Sequence, residues 1–140
     1  MALTYTITRD QHLALIEGAG CLDIAEWRAT VGALLNDPRF RPDTRILLDR
    51  RGVTGVESLD FLDHAIRFLQ WHSDKLHHAA WAVVVGEKAP SYGMARMLAV
   101  RASRIGMEMR VFTDAEKARA WLGQFGPAVE RYRPNALLSA

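Results

Sequence analysis

The side chains able to do chemistry in this sequence are few, and most lie where apolar runs end. In the stretch ILLDRRGVTGVESLDFLDH, residues 46–64, Asp49 closes a short apolar burst and Ser58 follows a glycine-bearing turn. A nucleophilic serine needs a base within hydrogen-bond reach and a group to orient that base, and in many α/β hydrolases it stands in Gly-x-Ser-x-Gly. Here Val56 and Asp60 occupy the two glycine positions. Ser58 therefore reads as a helix cap, and no catalytic residue is expected. Two starts are open: Ser58 is the N-cap with Leu59 as the first helical residue, or Thr54 caps with Glu57 completing a Thr-x-x-Glu box and Ser58 one turn inside. Asp49 is the best-placed acid, because ligands in open α/β sheets bind at the carboxyl ends of strands. An aspartate leaving a strand also bonds commonly to its own turn, or pairs with an arginine such as Arg50.

The other polar clusters are weaker. Asp60 and His64 share a helix face at i, i+4, and His72, His77 and His78 follow. That supplies two ligands at most, without the His-x-x-x-His spacing or the thiolates that hold zinc, so no metal is expected. In APSYGMARM, Pro90 suits a first helical turn and Ser91 can satisfy a backbone N–H, with Tyr92 and Arg96 on one face. Gly93 belongs to no phosphate-loop pattern and Lys88 precedes the turn, so neither nucleotide nor any other cofactor is expected.

These residues must be held by one compact fold. The chain has 140 residues, and its 18 basic side chains exceed its 16 acidic ones by only two. That length buries a core without disulfides or a structural metal, and the near balance of dispersed charge gives no field for nucleic acid. A single cysteine, Cys21, suits a reducing, cytoplasmic setting. MALTYTITRDQHL has no basic head followed by a long apolar run, and the longest apolar stretch, Ala79 to Gly86, falls far short of the about 20 residues that span a bilayer. Residues 1–122 are expected to form one domain. In the tail, 123–140, two glycines and two prolines interrupt any period; part of it is flexible or docks through Leu137 and Leu138.

Leu3 to Thr8 and His12 to Glu17 predict an opening hairpin. Ile24, Trp27, Val31, Leu34 and Leu35 recur at helical spacing behind Asp23 and Glu26, a capping-box-like start, and Asn36-Asp37-Pro38 ends that helix. The continuous apolar runs Arg45 to Asp49 and Ala79 to Val85 predict buried parallel strands. Between them Leu59, Leu62, Ile66 and Leu69 form a helical stripe that Phe61, Ala65 and Phe68 widen. A third helix spans Tyr92 to Ile105 and stops at Gly106, MEMRVF alternates as a strand, and a Thr113/Glu116 box opens a fourth helix through Leu122. The expected fold class is α/β: an N-terminal β-hairpin, then alternating helices and strands, in a mostly parallel five-stranded sheet with about four helices.

That order, with LDRRGVTGVESLDFL, APSYGMARM and VFTDAEKARAWL, resembles the SpoIIAA-like family of the STAS fold over Leu3 to Leu122. The group includes anti-sigma-factor antagonists and is distantly related to lipid-binding Sec14-type domains. The antagonists carry Asp-Ser-Ser/Thr-Gly at this turn, and a partner kinase phosphorylates one of its hydroxyls to switch protein binding. On this sequence the motif falls on Glu57, Ser58, Leu59 and Asp60. The resemblance implies Ser58 as the switch residue; a phosphate there would meet free N–H groups at a helix start, with charge from Arg50 and Arg51. Only that first hydroxyl is kept.

The broad apolar face is the other functional signal. The second helix has a wider apolar face than one sheet contact needs, Trp71 extends it, and the third helix is rich in methionine. The two helices cover each other, or they offer a partner surface or an apolar cleft whose candidates are Leu59, Phe61, Leu62, Phe68, Tyr92, Met94, Arg96 and Met97, with Asp49 at the same sheet end. The leading expectation is a non-catalytic regulatory or interaction module that binds a protein partner or itself. The second is a binding protein for a lipid or other apolar molecule, with peripheral membrane contact. Nucleic acid is not an expected partner.

Overall fold

The computed structural model describes residues 2–10, 12–76 and 79–125. In chain order the elements are β1 (Leu3–Ile7), β2 (Leu13–Gly20), α1 (Ile24–Asn36), β3 (Arg45–Val53), α2 (Leu59–Trp71), α3 (Ser73–Leu76), β4 (Ala80–Val84), α4 (Tyr92–Arg104), β5 (Glu108–Phe112) and α5 (Ala115–Gly123). The strands lie side by side in chain order, β1-β2-β3-β4-β5. The first pair is antiparallel and the other three are parallel.

Such a sequential order places the crossover helices together, because each parallel connection takes the same hand. α1, α2 and α4 accordingly share one face. Their apolar residues close over the inward side chains of the strands, among them Ile16, Ile46, Leu48, Trp81 and Val83. Trp27 of α1 meets Phe61 and Phe68 of α2 edge-on, at ring-centre separations of 6.2 and 5.5 Å. α5 covers part of the other face, where Ala118 and Leu122 bury Leu47, Ala80, Ala82 and Val84. Both faces of β4 are thus covered, which explains its unbroken apolar run.

The expected class and topology hold, with local differences. The helix count rises to five because a single turn, Ser73–Leu76, follows α2 and buries Leu76. β3 runs past Asp49 to Val53, and β2 past Glu17 to Gly20; between the Glu17–Asp49 and Ala19–Gly52 pairs the register shifts by one residue, the extra residue lying in β3. Gly52 permits this close pairing: a Cβ there would lie 2.9 Å from the Gly18 carbonyl oxygen. The α1 start is not a capping box. Asp23 makes no side-chain cap bond, and Glu26 instead accepts the Leu3 N–H at 2.8 Å, tying the helix to β1. At α5 the N-cap is Asp114 rather than Thr113, accepting the Glu116 N–H at 2.8 Å. Gly106, at φ 89°, ends the α4 segment as the sequence predicts.

α5 continues through Gly123, and Phe125 stacks edge-on against Trp121. The expectations for Leu137, Leu138, His77 and His78 fall outside the described residues.

Candidate functional site

The Ser58 turn is positioned by the alternation of β3. Ile46 and Leu48 point toward the helical layer, so Arg50 does too, whereas Asp49 and Arg51 point to the opposite face. Arg50 is thereby carried into the interior, and Glu57 returns from the following loop to meet it. Arg50 Nη2 donates to Glu57 Oε1, and the two side chains are only 4% and 3% exposed. Burial pushes the Arg50 guanidinium down to about 10, which still leaves it charged at neutral pH. The pair is half satisfied: Arg50 Nε and Glu57 Oε2 are buried without a hydrogen-bond partner among the described residues.

The next residue is the N-cap of α2. Ser58 Oγ accepts the Phe61 N–H at 3.1 Å, which selects the Ser58 start over the Thr54 one. Its neighbours Val56 and Leu59 are large apolar residues left 54% and 59% exposed. On the inner side of the turn Gly55 lies against Cys21, whose Sγ would be 3.2 Å from an added Cβ. The turn therefore presents a hydroxyl between two exposed apolar side chains, on a loop held from beneath by a buried ion pair.

The arginines do not stand ready for a phosphate at Ser58, as the resemblance implied. Arg50 is engaged by Glu57, and Arg51 closes back on Asp49 with Nε at 3.0 Å and Nη2 at 2.7 Å. Asp49 also accepts the Arg51 backbone N–H at 3.0 Å. These bonds, the Arg51 side-chain ones foremost, hold the Asp49 carboxyl below the usual carboxylate range. Asp49 lines a hollow of about 400 Å³ with Thr4, Glu17 and Arg51, on the opposite face from α2.

The remaining candidates are distributed over several surfaces. Leu62 is buried in the core, and Phe61, Phe68 and Met94 are half-buried against it. Phe68 also stacks on His72, at a centre separation of 4.4 Å, and with Trp71, Arg28 and Arg67 it borders a groove of about 610 Å³ between α1 and α2. Trp71 is 84% exposed. Tyr92 and Arg96 do come together: the guanidinium sits 6.0 Å from the ring centre, and both line a groove of about 400 Å³ against β5. Met97, about half exposed, borders a neighbouring hollow of about 490 Å³ on α4. α2 and α4 are joined at their rim by Arg101 Nη1 donating to Asp63 Oδ1 at 2.7 Å. Ser91 does not cap as the sequence suggests; it makes no cap bond, and its Oγ is buried without a partner among the described residues.

Sequence reasoning passed over the Arg50–Glu57 pair and the exposure of Val56. A signal for the first was present: with β3 extended by one residue, alternation makes Arg50 an inward charge that needs a partner.

A sequential, mostly parallel five-stranded sheet with three crossover helices on one face, and a capped serine turn after its third strand, defines an α/β domain of the STAS type. The chain belongs to the SpoIIAA-like family, whose model matches residues 15–123. It is similar in fold to the crystal structure of an uncharacterized protein with a SpoIIAA-like fold from Shewanella loihica PV-4, at 18% identity and a TM-score of 0.57, over 86% of this chain and 92% of that one. No curated protein matches the sequence. Among the described residues no helix is long and apolar enough to cross a membrane.

Proposed function

We propose that this domain is a non-catalytic regulatory or interaction module, which engages a protein partner through the turn Val56–Leu59 and the adjoining start of α2. The observation that carries this reading is the exposure of Val56 and Leu59 on either side of the Ser58 cap. Two solvated apolar side chains on a fixed turn supply the kind of small apolar patch that a partner desolvates, and the turn lies where ligands meet α/β sheets. The exposed Ser58 hydroxyl gives that surface a point of control. A phosphate there would place charge between the two apolar contacts and oppose docking by desolvation cost.

In-cell photo-crosslinking from positions 56 and 59 tests the reading. A defined protein adduct from both positions, lost in a Ser58→Asp chain, supports it; adducts that form equally well from distant surface positions would sink it.

A second reading has its own observation. Trp71 stands 84% exposed beside a groove bordered by Phe68, Arg28 and Arg67, an aromatic and basic combination suited to an acidic apolar molecule or a peripheral membrane contact. Native mass spectrometry of protein purified from cells would carry a co-purifying acyl compound on this reading. Empty spectra, with no displacement of a fluorescent fatty acid, would exclude it.

A further inference from the structure

We propose that the outer edge of β5, with the flank of α4 beside it, accepts an extended acidic segment of a partner protein as a sixth strand. The inference rests on the interaction-module reading and adds a second surface, distinct from the Ser58 turn.

The backbone alternation sets the edge. The Glu108 N–H donates to the Ala79 carbonyl, and the Phe112 carbonyl accepts the Val85 N–H. Residues 108, 110 and 112 therefore direct their backbone groups to β4, while Met109 and Val111 direct theirs outward, where β5 is the last strand of the sheet among the described residues. The opposite edge differs. There the Leu3 N–H is taken by Glu26.

The side chains around the open edge form a trough. Met109, Arg110 and Val111 make one wall, and Tyr92, Arg96 and Val100 of α4 make the other, around about 400 Å³. Val100 is 53% exposed. An incoming strand would hydrogen-bond to Met109 and Val111, lay one set of alternate side chains along Tyr92, Arg96 and Val100 of α4, and bring the other set to Arg110 on the opposite face of the sheet, so that an acidic residue in either set meets an arginine.

Charge selects the occupant. α4 carries Arg96, Arg101 and Arg104 and no acid, and among the described residues only Arg101 is matched, by Asp63. A second copy paired edge to edge would bring two such arginine-bearing helices together, which is repulsive. A lipid surface would answer the arginines but leave the outward N–H groups of Met109 and Val111 unpaired. An acidic strand answers both.

The test uses the full chain, isotopically labelled for amide NMR, with a short capped peptide of alternating glutamate and valine and a lysine–valine counterpart. The glutamate peptide should slow hydrogen exchange at Met109 and Val111 by about tenfold or more, and the lysine peptide should not. Val111→Pro removes an outward N–H without touching the β4 ladder, so it should weaken binding by about tenfold with an unchanged fold. Should that variant unfold, Arg96→Glu combined with Arg110→Glu should reverse the preference between the peptides. Protection that survives both variants would overturn the proposal. So would a concentration-dependent dimer dissolved by Val111→Pro, or binding to phosphatidylglycerol vesicles without protection of these amides. Failure here, with crosslinks from Val56 and Leu59 intact, would remove the β5 edge and leave the Ser58 surface standing.

Discussion

Replacing Glu57 by alanine should be among the most damaging single changes near the proposed docking turn, and its cost can be worked from the structure. Both members of the Arg50–Glu57 pair are almost wholly buried, and Arg50 Nε has no hydrogen-bond partner among the described residues. Removal of the carboxylate strands a guanidinium in the interior, a change that typically costs about 3–5 kcal/mol. Arg50 cannot escape by losing its proton. Burial brings it only to about 10, which leaves it charged at neutral pH. A loss near about 4 kcal/mol is equivalent to a fall of about 14 °C in Tm for a domain of this size. Urea unfolding followed by far-UV circular dichroism measures it, with the slope of the transition required to stay constant. An apolar exchange of both partners, Arg50→Met with Glu57→Leu, should return stability to within about 1 kcal/mol of the parent. A Glu57→Ala chain within about 1 kcal/mol of the parent would refute the claim that this pair anchors the turn.

Ser58→Ala should cost about 1 kcal/mol through loss of the bond to the Phe61 N–H, whereas Ser58→Asp should be neutral within about 0.5 kcal/mol, since aspartate caps as well and favours the helix dipole. Equilibrium unfolding of the two variants checks this, and the neutrality makes Ser58→Asp a clean probe of partner binding. The Asp37 carboxyl accepts from Arg39 and from the Tyr5 hydroxyl, which hold it well below the usual carboxylate range, Arg39 most strongly. A group lowered on folding contributes stability above its unfolded value, near about 4, and loses it as pH falls. Asp37→Asn should therefore differ from the parent at neutral pH and converge on it in acid, as measured by urea midpoints across pH. Trp71→Ala should change stability by no more than about 0.5 kcal/mol because the ring is solvated, while Trp27→Ala, which opens the core, should cost about 3–5 kcal/mol by the same assay.

Periodicity alone makes most of this fold legible. The continuous runs around Ile46 and Trp81 are central strands, and the stripe Leu59, Leu62, Ile66 and Leu69 faces the core except at its first, exposed residue. What periodicity misses is set by partners distant in sequence. Glu26 looks like a helix cap until β1 lies within reach of it. Arg50 looks solvated while β3 is taken to stop at Asp49; the strand continues because Gly52 lets β2 approach. Apolar width likewise does not say which neighbour covers a helix. Phe61 and Phe68 turn to Trp27 of α1, which separates them from Met97 and Arg96 on α4. Sequence leaves two helix starts open at Ser58, and the bond from the Phe61 N–H distinguishes them.

The most direct test of the central claim is the affinity of a partner captured by crosslinking from Val56 or Leu59, measured by titration calorimetry against the parent chain, Leu59→Ser and Trp71→Ser. Leu59 lies in the proposed contact and Trp71 outside it. The account expects Leu59→Ser to weaken binding by about tenfold or more, the cost of one desolvated apolar anchor, with Trp71→Ser unchanged. The reverse pattern, affinity kept without Leu59 and lost without Trp71, would contradict the account and move the functional surface to the groove between α1 and α2.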